Sequence, residues 1–323
     1  MRMTQRQIEK TKAMSFLLFS VILTLQLFSS AIKISQNQGD LLSENRKTNI
    51  PFESRVRAFE EIEIQAESVA VFDINSGTFI YEKNSSEVRP IASITKVISA
   101  LVSGDEIQNE EKISIGREAI EQVDDNGLLI GEIWPFKKLL DFSLLVSSND
   151  GAYAIANIVG SISHQKLEDK ADSNPIDIFV QKMNQKTKTI GLKNTFFNNP
   201  SGLDVNDNEA GGYSSAREVA MLFSYITKNR PGLLEATALQ DEEFVSDNNI
   251  SHDAKNTNTA FPSIPSIISS KTGYTKLAGG NLAIVYDIGI NRPVAIVVLG
   301  SGYGERFTDM TQLVKATNKF FSL

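Results

Sequence analysis

The chain has 323 residues, 41% of them hydrophobic and 22% charged, enough apolar material for a buried core in one large domain or two small ones. Its formal net charge is −7 at pH 7, with no large basic block beyond the first dozen residues, so no nucleic-acid partner is expected. It contains no cysteine, which excludes disulfides, thiolate metal sites and a cysteine nucleophile.

In chain order, Arg2, Arg6, Lys10 and Lys12 precede an apolar run, "AMSFLLFSVILTLQLFSSAI", residues 13–32. As a helix it would measure about 30 Å, one bilayer core. The cations before it predict an N-in orientation that sends the rest of the chain outside the cytoplasm. The segment reads as an uncleaved single-pass membrane anchor. Cleavage after the small residues of "FSSA" is the alternative and would give a secreted or periplasmic protein. Residues 33–58 are polar and without periodicity, and read as a linker.

Two β-rich runs, 67–73 and 78–83, flank the turn "NSG" and predict a hairpin. A helix containing Ser93 follows Pro90. The stretch "LLIGEIWPFKKLLDFSLLVSSNDGAYAIANIVG" reads as two helices joined through "SSND". Leu139, Leu140, Phe142, Leu144 and Leu145 are apolar positions of the first, and Tyr153, Ile155, Ala156 and Val159 of the second. A helix from Pro175 is stopped at Gly191, and another is capped at Ser214 or Ser215 and ends before Pro231. "NLAIVYDI" and "RPVAIVVLG" are buried-strand candidates, and 307–322 is a closing helix. Strands at both ends with helices between predict one antiparallel sheet completed by the two chain ends.

The chemistry starts at "PIASITKV", where Ser93 and Lys96 share a helix face. A serine hydroxyl needs a base. A lysine serves only if burial or nearby cations bring its pKa down from about 10.4. A serine opening a helix also offers its own N–H to an oxyanion. The spacing alone is weak, since Ser163-His164-Gln165-Lys166 repeats it in a polar stretch where its side chains are expected to be solvated. The only histidines, His164 and His252, both lie in polar stretches and are expected to be solvated. Neither sits in a triad motif, and no metal site is expected. Lys271-Thr272-Gly273, in "SSKTGYT", reads as an edge strand whose glycine lets a ligand approach the backbone. Ser147-Ser148-Asn149 reads as a helix cap, a role compatible with catalysis. A literal Ser246-Asp247-Asn248 is set aside because its polar loop has no helix pair to hold it.

Taken in order, Ser-x-x-Lys, Ser-x-Asn and Lys-Thr-Gly make the chain resemble the penicillin-recognising serine enzymes. The finer resemblance is to the low-molecular-weight penicillin-binding proteins, the serine-type D-alanyl-D-alanine carboxypeptidases of peptidase family S11. "RPIASITKVISALV" (89–102), "LLVSSNDGAYAIA" (144–156), "KNTFFNNPSGLD" (193–204), "YSSAREVAML" (213–222) and "SSKTGYTKLAGGNLA" (269–283) carry it. It covers residues 62–323, and a catalytic domain over 59–323 is expected.

The resemblance implies an α/β (α+β) protein of the penicillin-binding-protein/serine β-lactamase-like fold. That fold has an antiparallel five-stranded sheet flanked by helices, plus a mainly helical subdomain. Ser93 would be the acylated nucleophile and Lys96 its base. Ser147 would relay a proton to the leaving amine, and Asn149 would orient Lys96 and the substrate amide. Lys271 would supply positive field, lowering the pKa of Lys96. Thr272 would bind the substrate carboxylate, followed by Gly273, and the N–H groups of Ser93 and Tyr274 would form the oxyanion hole. Arg306 resembles the family arginine near that carboxylate. No cofactor is implied. The implied partners are peptidoglycan stem peptides ending in D-Ala-D-Ala, with β-lactams as covalent inhibitors, in cell-wall biogenesis and remodelling.

Ser148 stands where relatives more often have Gly or Ala, and Ser201 where His is frequent. Many relatives also carry a C-terminal β domain and an amphipathic membrane helix. With Leu323 the last residue here, tethering is expected from residues 13–32. A D,D-endopeptidase shares every one of these residues. A class A β-lactamase adds Glu-x-x-Leu-Asn, and no Leu-Asn pair occurs in this chain. A penicillin sensor is a further alternative, weakened by the complete reactive set.

Overall fold

The computed structural model of the protein describes residues 55–124, 126–165, 174–289 and 291–322. The expected anchor, 13–32, and the linker up to residue 54 lie outside the described residues. Among the described residues no helix is long and apolar enough to cross a membrane. The compact unit starts at Arg55. The last residues of the expected linker therefore pack: Ala58 is buried, and next to it Phe59 stacks on Tyr81 at 4.7 Å.

The first two strands, β1 (Ser68–Asp73) and β2 (Thr78–Lys83), form the expected hairpin. Its turn is held by Asp73, whose Oδ1 accepts from the N–H groups of Asn75 and Ser76. The helices follow: α1 (Thr95–Glu106), α2 (Phe136–Val146), α3 (Asn149–Gln165), α4 (Pro175–Thr189) and α5 (Ala216–Asn229). Ser215 caps α5 by accepting from Glu218 N–H, and Gly191, at φ 83°, turns the chain out of α4. Strands β3 (Ile267–Thr275), β4 (Gly279–Asp287) and β5 (Pro293–Ser301) and helix α6 (Glu305–Ser322) complete the chain.

The sheet is five-stranded and antiparallel, in the order β3-β4-β5-β1-β2. β1 pairs with β5, so the two ends of the unit close one sheet as expected. Alternate residues serve two cores. Ala70, Phe72, Ala283, Val285, Ala295 and Val297 face the helical block. Val69, Val71, Leu282, Ile284, Val294 and Ile296 face α6, which returns Met310, Leu313 and Val314. Both faces are buried, which is why these strands read as unbroken apolar runs. Each buried aliphatic side chain contributes roughly 1.5–3 kcal/mol.

Within the helical block, every residue of α1 from Thr95 to Ser103 is buried. A helix that is enclosed all round carries its one lysine, Lys96, into the core.

Four expectations are corrected. The first helix of the "SSND" pair begins only at Phe136, because Ile133–Pro135 pairs instead with Lys112–Ser114. The stretch read as a polar loop around 241–255 is a hairpin, Asp241–Val245 with Ser251–Lys255. Phe244, His252 and Ala254 point inward there, and three inward residues among charged ones leave almost no apolar signal. His252 is buried rather than solvated: its Nε2 lies 2.7 Å from Glu132 Oε1 and its ring packs on Trp134 and Phe142. Ser163 is buried as well, facing the core side of α3, while Lys166 lies outside the described residues.

Candidate active site

Ser93 does not open the α-helix itself. It sits in a 3-10 turn, Ala92–Ile94, which leads into α1 at Thr95. Ala92 is left-handed, φ 48°, a strain of about 1–3 kcal/mol for a residue with a Cβ. The surroundings hold that turn. Pro90 pairs with Tyr213, Ile91 N–H donates to Gly212 O at 3.0 Å, and Asn281 Nδ2 donates to Pro90 O at 3.1 Å. On the other side runs β3, the sheet edge. A Cβ on Gly273 would lie 2.7 Å from Ile91 O and 3.1 Å from Ser93 N, so only glycine lets the strand reach the nucleophile's backbone.

Lys96 reaches Ser93 from behind. Its Nζ donates to Ser93 Oγ at 2.8 Å, to Asn149 Oδ1 at 2.6 Å and to Ser201 O at 3.1 Å. Burial lowers its pKa to about 7, against the opposing pull of Asp124 and Asp150. The sequence left burial and nearby cations both open as the cause, with Lys271 expected to contribute. Burial is the main cause here, and the like charge weighs on Lys271 instead. Burial first, then Lys96 and Arg306, push Lys271 well below the ordinary lysine value. The contact at residue 201 is a backbone carbonyl, so a serine there removes nothing from Lys96. Asn199 shapes that loop, its Oδ1 accepting from the N–H of Gly202 at 2.7 Å.

The "SSND" link divides its labour residue by residue. Ser147 terminates α2 in the left-handed region, φ 66°, and its Oγ accepts from Lys271 Nζ at 2.9 Å. Ser148 turns inward and caps α3, its Oγ accepting from Gly151 N–H at 2.9 Å. Asn149 faces the cavity and spends one amide hydrogen on Val123 O at 2.8 Å. Capping and chemistry thus fall on different residues of one motif. The rejected Ser246-Asp247-Asn248 is the turn of the 241–255 hairpin, pinned by Lys112 and by Ile133 N–H.

Ser93, Ser147, Asn149, Thr272, Gly273, Tyr274 and Arg306 all line one cavity of about 480 Å³, with Lys96 and Lys271 supporting it from behind. All nine predicted residues therefore converge. Arg306, buried at the start of α6, donates to Gly273 O at 3.0 Å. Its guanidinium lies 4.6 Å from the Tyr303 ring, and Tyr303 meets Tyr274 edge-on at 4.9 Å. Arg306 Nε has no hydrogen-bond partner among the described residues. The sequence reading missed Thr257, whose Oγ1 lies 2.5 Å from Thr272 Oγ1, and Asp124, Asn126 and Tyr303, which also line the cavity. No motif surrounds them, and only the fold brings them to the site.

The arrangement is a serine bonded to a buried lysine of near-neutral pKa, faced by a second serine–lysine pair and an anion-seeking arginine. The family model described as D-alanyl-D-alanine carboxypeptidase, peptidase family S11, matches residues 55–302. The chain belongs to this family. Among curated members, the D-alanyl-D-alanine carboxypeptidase DacF of Bacillus subtilis is 28% identical over 79% of this chain and 62% of its own length. The D-alanyl-D-alanine endopeptidase of Escherichia coli is 30% identical over 78% of this chain and 76% of its own. The solved structure of penicillin-binding protein D2 from Listeria monocytogenes, with ampicillin bound, superposes with a TM-score of 0.65. It is 26% identical, covering 79% of this chain and 98% of that one. The α+β fold is the penicillin-binding-protein-like one expected. The chain spans about three-fifths of the length of DacF.

Proposed function

We propose that this family member is a serine D,D-carboxypeptidase, removing the terminal D-alanine from peptidoglycan stem peptides ending in D-Ala-D-Ala. The observation that carries the reading is the 2.8 Å contact between Ser93 Oγ and a Lys96 Nζ whose pKa stands at about 7. A neutral Lys96 takes the proton of Ser93 as Oγ attacks the penultimate D-alanine carbonyl. The N–H groups of Ser93 and Tyr274 receive the oxyanion. Ser147, bonded to Lys271, relays to the departing amine the proton that Lys96 took from Ser93, so that Lys96 is neutral again as the C–N bond breaks to release D-alanine and leave an ester on Ser93. Water then attacks that ester with Lys96 again as base, regenerating Ser93 and freeing the shortened peptide.

Thr272 and Arg306 hold the substrate's terminal carboxylate, with Thr257 fixing the hydroxyl of Thr272. An anion there also offsets the repulsion between Lys271 and Arg306, so that positive charge becomes useful field once substrate binds. β-Lactams acylate Ser93 through the same groups, as ampicillin's presence in the Listeria relative supports. Residues 13–32 anchor the chain in the membrane, with a linker to a catalytic unit outside the cytoplasm.

The test is release of D-alanine from an acetylated lysyl-D-alanyl-D-alanine peptide by the full chain. Turnover is expected on that peptide, no turnover on the D-Ala-L-Ala diastereomer, and none with Ser93→Ala. Failure to release D-alanine sinks the carboxypeptidase reading. Hydrolysis confined to a D,D-crosslinked dimer would favour the endopeptidase reading that the E. coli relative supports.

A further inference from the structure

The cavity over Ser93 is electrically lopsided. Its strand wall carries Arg306, which donates to Gly273 O, with Lys271 behind it. The opposite wall includes Asp124 and Asn126, and the chain there is bonded to the start of α3. Asn149 Nδ2 donates to Val123 O at 2.8 Å, and Asn126 N–H to Asp150 Oδ2 at 3.4 Å.

Asp124 stands between those two pins. It is the only carboxylate among the described residues that line the cavity. Its backbone is left-handed, φ 67°, which Asp and Asn tolerate better than other side chains with a Cβ. Its neighbours Val123 and Asn126 are bonded to Asn149 and Asp150 at the start of α3, whereas Arg306 is bonded to Gly273 on the strand wall.

A peptide lying across Ser93 with its carboxylate at Thr272 and Arg306 points its acyl-donating half toward the other end. We infer that Asp124 is a specificity-determining residue that receives a free ammonium group on that acyl-donating half. A substrate of this kind matches the cavity on both walls: anion to Thr272 and Arg306, cation to Asp124. The inference rests on the carboxypeptidase reading and adds to it a preference for a peptide with an uncapped amine-bearing side chain before the D-alanines.

The experiment compares two probes with the full chain: Nα-acetyl-L-Lys-D-Ala-D-Ala and its Nα,Nε-diacetyl form, each followed by D-alanine release. The wild type is expected to favour the free ε-amine about fivefold in kcat/KM, the scale of a partly exposed ion pair, with the difference residing in KM. High salt should shrink the preference. Asp124→Asn keeps the backbone preference and removes the charge, so the ratio should fall to about one. That substitution also alters the field on Lys96, but it does so for both peptides, and the ratio cancels it. Equal rates in the wild type, or an undiminished preference in Asp124→Asn, overturn the inference and leave the carboxypeptidase reading standing. No D-alanine from either peptide overturns both together.

Discussion

In the proposed mechanism the proton affinity of one residue, Lys96, decides whether Ser93 can act. Its burial on all sides of α1 disfavours the ammonium form and sets the pKa at about 7. The base must be neutral, so acylation should rise with pH, be half-maximal near 7 and level off above. Stopped-flow acylation by a penicillin across pH 5–9 measures this, and a profile flat through 7 would contradict it. Lys96→Ala should lower acylation by about 10²–10⁴-fold. The contact within this pair was legible in the sequence, because Ser-x-x-Lys falls where the chain enters an apolar helix and two further motifs supported it. The cause of the low pKa was not. Burial and nearby cations were both open, and which of them dominates depends on how many elements surround α1, which no local spacing reports. Buried His252 was missed for the same reason: its partners, Glu132, Trp134 and Phe142, lie more than a hundred residues away.

The elements that matter are the edge strand β3 and the Ser93 turn, and Gly273 is where they meet. Gly273→Ala places a Cβ against Ile91 O, Ala92 Cβ and Ser93 N. The neighbouring atoms are mostly backbone, so the strand must move. Overpacking of this kind costs roughly 1–3 kcal/mol. We expect Gly273→Ala to lower the melting temperature by several degrees and to slow acylation at least about tenfold, because the proposed oxyanion donor, Tyr274 N–H, follows the displaced glycine. Calorimetry and penicillin labelling read the two effects. Wild-type rates with a wild-type Tm would show that the close approach is not needed. At this scale β1, β2, β4 and β5 were legible because both their faces are buried or their turns carry strong signals. The 241–255 hairpin was not, since its few inward residues lie among charged ones, nor was Ile133–Pro135, which is three residues long with only Trp134 buried.

In the whole molecule, the two cores on either side of one sheet fix the site at the junction of sheet and helical block. β3 supplies Thr272, Gly273 and Tyr274, the α2–α3 link supplies Ser147 and Asn149, and α1 supplies Lys96. The order of motifs along the chain announced this convergence. The cavity's outer rim, Asp124, Thr257 and Tyr303, comes from connections whose residue types carry no motif, so it emerged only from the fold. The central claim is that all of this serves one nucleophile. Intact-mass spectrometry of the full chain treated with benzylpenicillin, followed by peptide mapping, tests it most directly. The account predicts one covalent adduct per chain, on Ser93, absent from Ser93→Ala. An adduct on another residue, or one that survives Ser93→Ala undiminished, would contradict it.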